Sequence, residues 1–279
     1  FAQQLIELDD DSSSNNLSSF NETIKLKYKI PRNADLLKEI YIQLRLPAIY
    51  SNDNLQFQWI RRLGEYMVRE IRIIGGDSNV YNRIRGEYLH IYNELNIPAS
   101  KKGQYNRQIG NIPELYDPAN VVSNQGLYPS KSKPSSGSSN GIPSIPSVNL
   151  IIPIPFWFCN YSGSTIPLIA LQKMDFRIEV DIRPLNELYT IIDTNPQNTT
   201  FLTRIRPILS SHYFNIFTND STDSTLSNFN VSLYGNYIFL DRGERKRFAQ
   251  VEHRYLMKQV QYNENVINMG SGGNYKIDM

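Results

Sequence analysis

Between Phe176 and Arg183 the chain reads F-R-I-E-V-D-I-R, so that Phe176, Ile178, Val180 and Ile182 alternate strictly with Arg177, Glu179, Asp181 and Arg183. Successive side chains of an extended strand point to opposite faces, so this pattern makes one face apolar and the other charged. A helix of 3.6 residues per turn would scatter both kinds around its surface. The stretch is therefore a half-buried β-strand, one side on a core and the other toward water.

The same pattern recurs. Ile24, Leu26, Tyr28 and Ile30 alternate with Lys25, Lys27 and Lys29. Ile40, Ile42, Leu44 and Leu46 alternate with Tyr41, Gln43 and Arg45, and Phe229, Val231 and Leu233 repeat the scheme. Strands separated by turns and long polar loops, with few helical stretches, predict an all-β antiparallel sandwich. Its boundaries are marked by breakers. Pro31 followed by Asn33-Ala34-Asp35 turns the first strand into the second, which ends at Pro47. A hairpin is expected between Trp59 and Ile84, with Gly75-Gly76-Asp77 at its tip and the two glycines supplying positive φ. Leu89, Tyr92 and Leu95 sit at near-helical spacing ahead of Pro98, which predicts a short bridging helix over 86–96. Val148 to Cys159 returns to strand, confined to an edge or bulge by Pro153 and Pro155.

Two segments depart from strand grammar. Residues 9–19 are Asp, Ser and Asn with one Leu, as in a solvated arm, and 101–147 contains a Ser/Pro/Gly-rich run expected to be an exposed loop excursion. Beyond the last strand, near Asp241, R-G-E-R-K-R-F-A-Q at 242–250 has the makeup of a helical connector. Its charge suits either a solvated helix face or an anionic partner.

Charge and composition exclude several functions. With 29 basic and 27 acidic residues the net charge is +2, which gives no reason to expect a polyanionic partner such as nucleic acid. No apolar run approaches the roughly 20 residues that a helix needs to cross a bilayer. The single cysteine, Cys159, rules out an internal disulfide framework and reads as a small buried hydrophobe within I-P-I-P-F-W-F-C. The chain starts at Phe1 and not at Met, as a processed or partial chain would.

Catalytic signatures are sparse. His90, His212 and His253 are widely separated, and none has a second His or Cys at metal-ligand spacing. G-S-S-N-G at 137–141 matches the nucleophile-elbow pattern formally, but lies in the Ser/Pro/Gly loop and not between a strand and a helix. No phosphate-cradling loop is present, because Gly75-Gly76 lacks the lysine, glycine spacing and helix that such a loop requires. These residues predict no enzyme, cofactor or metal. Of six N-x-S/T triplets, at Asn16, Asn21, Asn160, Asn198, Asn219 and Asn230, the two in polar loops, Asn198 and Asn219, are the better glycan acceptors.

In order along the chain, I-P-R-N-A-D-L-L-K-E-I-Y-I-Q-L-R-L-P, I-I-G-G-D, W-F-C-N, I-P-L-I-A-L-Q-K-M-D-F-R-I-E and N-Y-I-F-L-D-R-G-E-R-K-R-F-A-Q-V-E-H-R-Y-L resemble the major capsid proteins of large eukaryotic double-stranded DNA viruses. The ordered combination carries the likeness. It implies a jelly-roll sandwich, a device that limits exposed sheet edges. Such proteins usually carry two jelly rolls in tandem, and three chains form a pseudo-hexagonal capsomer of an icosahedral shell. On that scheme residues 1–20 are an N-terminal arm, 21–241 the first roll, and 242–279 the connector and the start of a second, mostly absent, roll. The resemblance implies a virion component whose partners are itself, neighbouring capsomers and minor capsid proteins. The alternative is a carbohydrate- or receptor-binding jelly-roll module, for which the 18 tyrosines and two tryptophans could supply stacking platforms.

Overall fold

A computed structural model describes residues 2–11, 21–51, 54–129, 142–171, 173–205, 207 and 230–262. Thirteen strands are present among the described residues: β1 Ala2–Glu7, β2 Asp9–Asp10, β3 Ile24–Lys29, β4 Leu36–Leu46, β5 Leu55–Trp59, β6 Val68–Gly75, β7 Val80–Arg85, β8 Val148–Ile154, β9 Ile166–Pro167, β10 Phe176–Ile182, β11 Tyr189–Asp193, β12 Arg204–Ile205 and β13 Asn230–Phe239. One sheet runs β1-β13-β4-β8, with β9 pairing the start of β4. A second runs β2-β3-β10-β6-β7, and a small third sheet runs β12-β11-β5. Every pairing is antiparallel.

The two large sheets face each other across one core, and the alternation decides which residues enter it. From β10 come Ile178, Val180 and Ile182, from β3 Leu26 and Tyr28, and from β6 Ile71 and Ile73. Opposite stand Ile40, Ile42 and Leu44 of β4, Leu150 and Ile152 of β8, and Val231, Leu233 and Tyr237 of β13. A polar bond crosses the layers: the buried Tyr28 hydroxyl donates to the Val231 carbonyl at 2.8 Å. The third sheet packs Phe57, Trp59 and Tyr189 together, with Phe57 and Tyr189 stacked at 4.7 Å between ring centres.

Several local expectations change. The strand over 24–29 and the helix over 86–96 (α2 Gly86–Asn96) form, but only Leu89 of the apolar trio is buried, while Leu95 is 80% exposed. The helix instead buries Asn93, for a reason given below. At the hairpin tip the left-handed residue is Ser78 (φ 64°), and neither glycine has positive φ. Gly75 is crowded by side chains, since a Cβ there would lie 2.4 Å from Met174 Cε and 2.6 Å from Tyr81 Cε2, which would have to shift to admit it. Ahead of the hairpin, a single turn, α1 Leu63–Met67, follows Arg62 in the left-handed region (φ 56°).

The segment 101–147 is not loop from its start. Helix α3 Ala99–Gln108 occupies its beginning, followed by the turn α4 Pro113–Tyr116. Helix-forming Lys, Gln and Arg side chains after Pro98 favour α3, and the buried Tyr105 ties it down. The Ser/Pro/Gly run, including 137–141, lies largely outside the described residues. The supposed arm is also partly structured, because β1 adds to β13 and Asp9–Asp10 pairs with β3. Ile6 and Leu8 pack on the core from the inner side of that extension, and this anchorage offsets the cost of ordering a polar segment.

Candidate assembly surfaces

The charged side of β10 is not simply wet. Arg72 of β6 lies among Glu70, Glu179 and Asp181 at 3.5, 3.2 and 3.3 Å, and Arg83 and Arg85 of β7 reach Glu70 at 3.4 and 3.7 Å. The three carboxylate side chains keep only 14–16% of their exposure. The register sets Glu179 opposite Arg72 and Glu70 opposite Arg85, and where like charges are opposed, Asp181 to Glu70 and Arg72 to Arg83, the diagonal pairs Arg72–Asp181 and Arg83–Glu70 neutralise them, so the outer face is a cross-linked ion lattice. At its end an open cavity of about 520 Å³ is bordered by Thr23, Lys25, Arg69, Arg85, Glu87 and Arg183. Arg183 holds this corner together, lying over the Tyr66 ring at 4.5 Å and pairing with Glu87 and Glu187.

A buried polar cluster joins the helices to the sandwich. Glu65 of α1, 2% exposed, accepts from the Tyr105 hydroxyl at 2.6 Å and the Asn93 side-chain amide at 3.0 Å. This explains why Asn93 faces inward. Burial, reinforced by Glu65, pushes the Tyr105 phenol far above its ordinary range, so it acts as a permanent donor. His90 stands 3.3 Å from the second Glu65 oxygen and contacts Arg62. All these partners lie within the protein, and the cluster fixes three helices to one another. Nothing in the spacing of Glu65, Asn93 and Tyr105 announces it; an Asn on a helix face otherwise read as apolar is the available hint.

The helix after the last strand is anchored just as specifically. Helix α5 Arg242–Gln250 starts at Asp241, whose side chain accepts the Glu244 N–H at 2.9 Å. Asp35, at the end of the first inter-strand turn, accepts the Leu240 N–H at 2.8 Å and the Arg245 guanidinium at 2.9 Å. The run at 242–250 is thus a solvated helix with one arginine, Arg245, held to Asp35. Beyond it, residues 251–262 cross to the edge of β7, where Gln259 donates to the Tyr81 carbonyl at 2.8 Å and the Arg85 N–H donates to the Tyr262 hydroxyl at 3.0 Å. On the way, Tyr255 packs on Trp157 and His253 stacks on Phe248, leaving an apolar hollow of about 210 Å³ floored by Trp157, Leu171, Met174 and Phe176.

The residues singled out from sequence are dispersed. Asn198 is on an exposed loop closed over the buried Asp193, to which its amide donates at 2.7 Å alongside the Thr200 hydroxyl at 2.7 Å and the Asn195 N–H at 2.9 Å. Asn219, Asn16 and His212 lie outside the described residues. His90 and His253 belong to separate clusters, and no group of three or more His, Cys, Asp or Glu placed to hold a metal occurs among the described residues. Burial pushes the Cys159 thiol up to about 12, leaving it a neutral packing group at physiological pH.

A family model described as "Major capsid protein N-terminus" matches residues 1–241. The chain belongs to the major capsid protein family. Among its relatives, the major capsid protein of Phaeocystis pouchetii virus is 29% identical over 246 residues, covering 84% of this chain and 42% of the relative. Capsid protein 1 of Acanthamoeba polyphaga mimivirus is 28% identical over 265 residues, covering 91% and 38%. The chain therefore spans less than half the length of the curated relatives it matches. In fold it resembles a chain in a quasi-atomic model of the PBCV-1 virus capsid, with a TM-score of 0.59, 18% identity and coverage of 92% of this chain and 47% of that one. The Faustovirus major capsid protein gives a TM-score of 0.53 at 13% identity, over 88% and 56%. The architecture is the all-β jelly roll expected of this capsid family, with its two facing sheets and excursions.

Proposed function

We propose that this chain forms part of a structural subunit of an icosahedral virus capsid, resident in the virion, with no catalytic role, and that the whole protein assembles into trimeric pseudo-hexagonal capsomers. The observation that carries the reading is the family match across residues 1–241, that is, across the whole sandwich. The physical properties agree with it. A capsid wall must hold its shape under lateral load, and this sandwich is braced by a cross-layer hydrogen bond, an ion lattice on one outer face and a buried cluster fixing its helices. Self-association through such rigid faces would be driven by buried apolar area and closed by symmetry. The connector and the hollow beside it are where a following domain would pack. Neighbouring capsomers and minor capsid proteins are the expected partners.

Light scattering and electron microscopy of the whole protein test this reading. Three-fold particles packing into a hexagonal lattice are expected, and a discrete monomer across concentration and salt would overturn it. Asn198 and Asn219 are carried forward as proposed glycan acceptors, checked by the mass loss of peptides containing them on enzymatic deglycosylation. The carbohydrate-binding alternative gains no support from the tryptophans, since Trp59 is 1% exposed and Trp157 packs against Phe158 and Tyr255.

A further inference from the structure

The edges of the two large sheets are treated unequally. The edge of β7 is engaged by the connector through Tyr81 and Arg85. Strand β8 carries Pro153, which cannot donate to another strand, and β2 is only two residues long. These are recognised ways of preventing unwanted strand addition. Strand β1 has none of them. Its sequence, A-Q-Q-L-I-E, contains no proline, no lysine and one charge, and Leu5 is 57% exposed.

The register shows which groups are available. Every β1–β13 pair has positions summing to 241, and the Leu8 N–H donates to the Leu233 carbonyl at 2.8 Å, in phase with that ladder. Hydrogen-bonded pairs alternate along an antiparallel ladder, so Ala2, Gln4, Ile6 and Leu8 turn their backbone groups to β13. Gln3, Leu5 and Glu7 turn theirs outward, and among the described residues these outward groups have no partner.

We propose that β1 pairs antiparallel with β1 of a second copy of this chain, about a two-fold axis at Leu5, joining the β1-β13-β4-β8 sheets of the two copies into one continuous sheet. The choice of occupant and register follows from self-complementarity. With Leu5 opposite Leu5 of the second copy, Gln3 faces Glu7 in both directions and Gln4 faces Ile6, so no like charges meet. Centring on Glu7 would set two carboxylates against each other and bring Asp9 onto Leu5, and cross-strand like charges destabilise such a pairing. Centring on Gln3 or Gln4 would engage fewer of the β1 positions, and centring on Ile6 would set the exposed Leu5 against Glu7 and Gln3 against Asp9 in place of the apolar Leu5–Leu5 contact. The contact rests on the self-assembling reading above and adds an inter-copy contact, two-fold and made through backbone, to it.

Cysteine cross-linking on the whole protein tests the register. Directly opposed hydrogen-bonded residues have Cα atoms about 5.5 Å apart, within disulfide range. Under a mild thiol oxidant, Leu5→Cys should convert most of the chain to a disulfide-linked dimer. Gln3→Cys alone should not, whereas a mixture of Gln3→Cys and Glu7→Cys chains should. Native Cys159, partly buried and protonated, leaves the background low. A second variant separates pairing from folding: Leu5→Pro removes only an outward N–H, so it should abolish cross-linking by a cysteine introduced beside it at Glu7, mixed with Gln3→Cys chains, while the melting temperature stays unchanged. Particles that form normally without a Leu5→Cys dimer overturn the edge pairing and leave the capsid reading standing. If no particles form, the capsid reading fails, and the dimer band of the soluble chain alone decides the pairing.

Discussion

Replacing Asp35 by Ala should detach the connector helix from the sandwich, and the cost can be apportioned between its two bonds. The carboxylate is 8% exposed and accepts both the Leu240 N–H and the Arg245 guanidinium through one oxygen. Removing it leaves a buried N–H without an acceptor, at a cost of about 1–3 kcal/mol. The arginine side chain is 52% exposed, so its ion pair is screened and contributes no more than about 1 kcal/mol. Together Asp35→Ala should lose about 1–4 kcal/mol, a melting-temperature drop of roughly 2–16 °C for a domain of this size. Asp35→Asn keeps an acceptor for Leu240, and Arg245→Gln removes only the ion pair, so each should cost about 1 kcal/mol or less. Guanidinium titrations of the four proteins, with limited proteolysis at 242–250 as a local readout, measure this ordering. If Asp35→Asn were as damaging as Asp35→Ala, the charge and not the hydrogen bond to Leu240 would hold the connector, and the reasoning would be refuted.

Gly86→Ala should destabilise by about 1–3 kcal/mol or more through overpacking, because its Cβ would lie 2.1 Å from the Val68 carbonyl oxygen and 2.8 Å from that of Glu65; an unchanged denaturation midpoint would contradict this. Tyr28→Phe should cost about 1 kcal/mol by removing the cross-layer bond to Val231, read in the same titration. Burial pushes Cys159 and Tyr128 up to about 12, so each contributes stability fully present below its unfolded pKa and lost as pH rises above it, from about 8.5 for the thiol and about 10 for the phenol. Stability should accordingly fall with increasing slope above pH 9, and Cys159→Ala should flatten the first part of that fall. Glu39 runs the other way. Burial raises its pKa, but hydrogen bonds from Asn236 and Tyr41 and the nearby Lys38 outweigh that and lower it, so its stabilisation is present above its unfolded pKa of about 4.3 and lost as pH falls through the folded value. The stability gap between the native chain and Glu39→Gln should close on acidification from pH 6 to 3.

The all-β fold was legible in the sequence because a half-buried strand writes its two faces as alternation, and four such stretches became β3, β4, β10 and β13. Prolines and turn residues marked their ends for a local reason, the loss of a donor or a fixed φ. Pairing partners were not legible. Lys27 meets Glu179 and Arg177 meets Ile74 through register set by the whole sheet. The same holds for Gly75, which is crowded by Met174 nearly a hundred positions away, and for Ser78, which takes the left-handed turn that the glycines were expected to take. Asp35 read as a turn residue and proved to be the anchor of a helix 210 positions on, while Glu65, Asn93 and Tyr105 had no shared pattern at all. Alternation, breakers and capping are properties of neighbours along the chain, and the sequence by itself determined them. Which edges are covered, which charges are neutralised and which strand is left open depend on chain segments that meet only after folding, and these the tertiary structure alone decided.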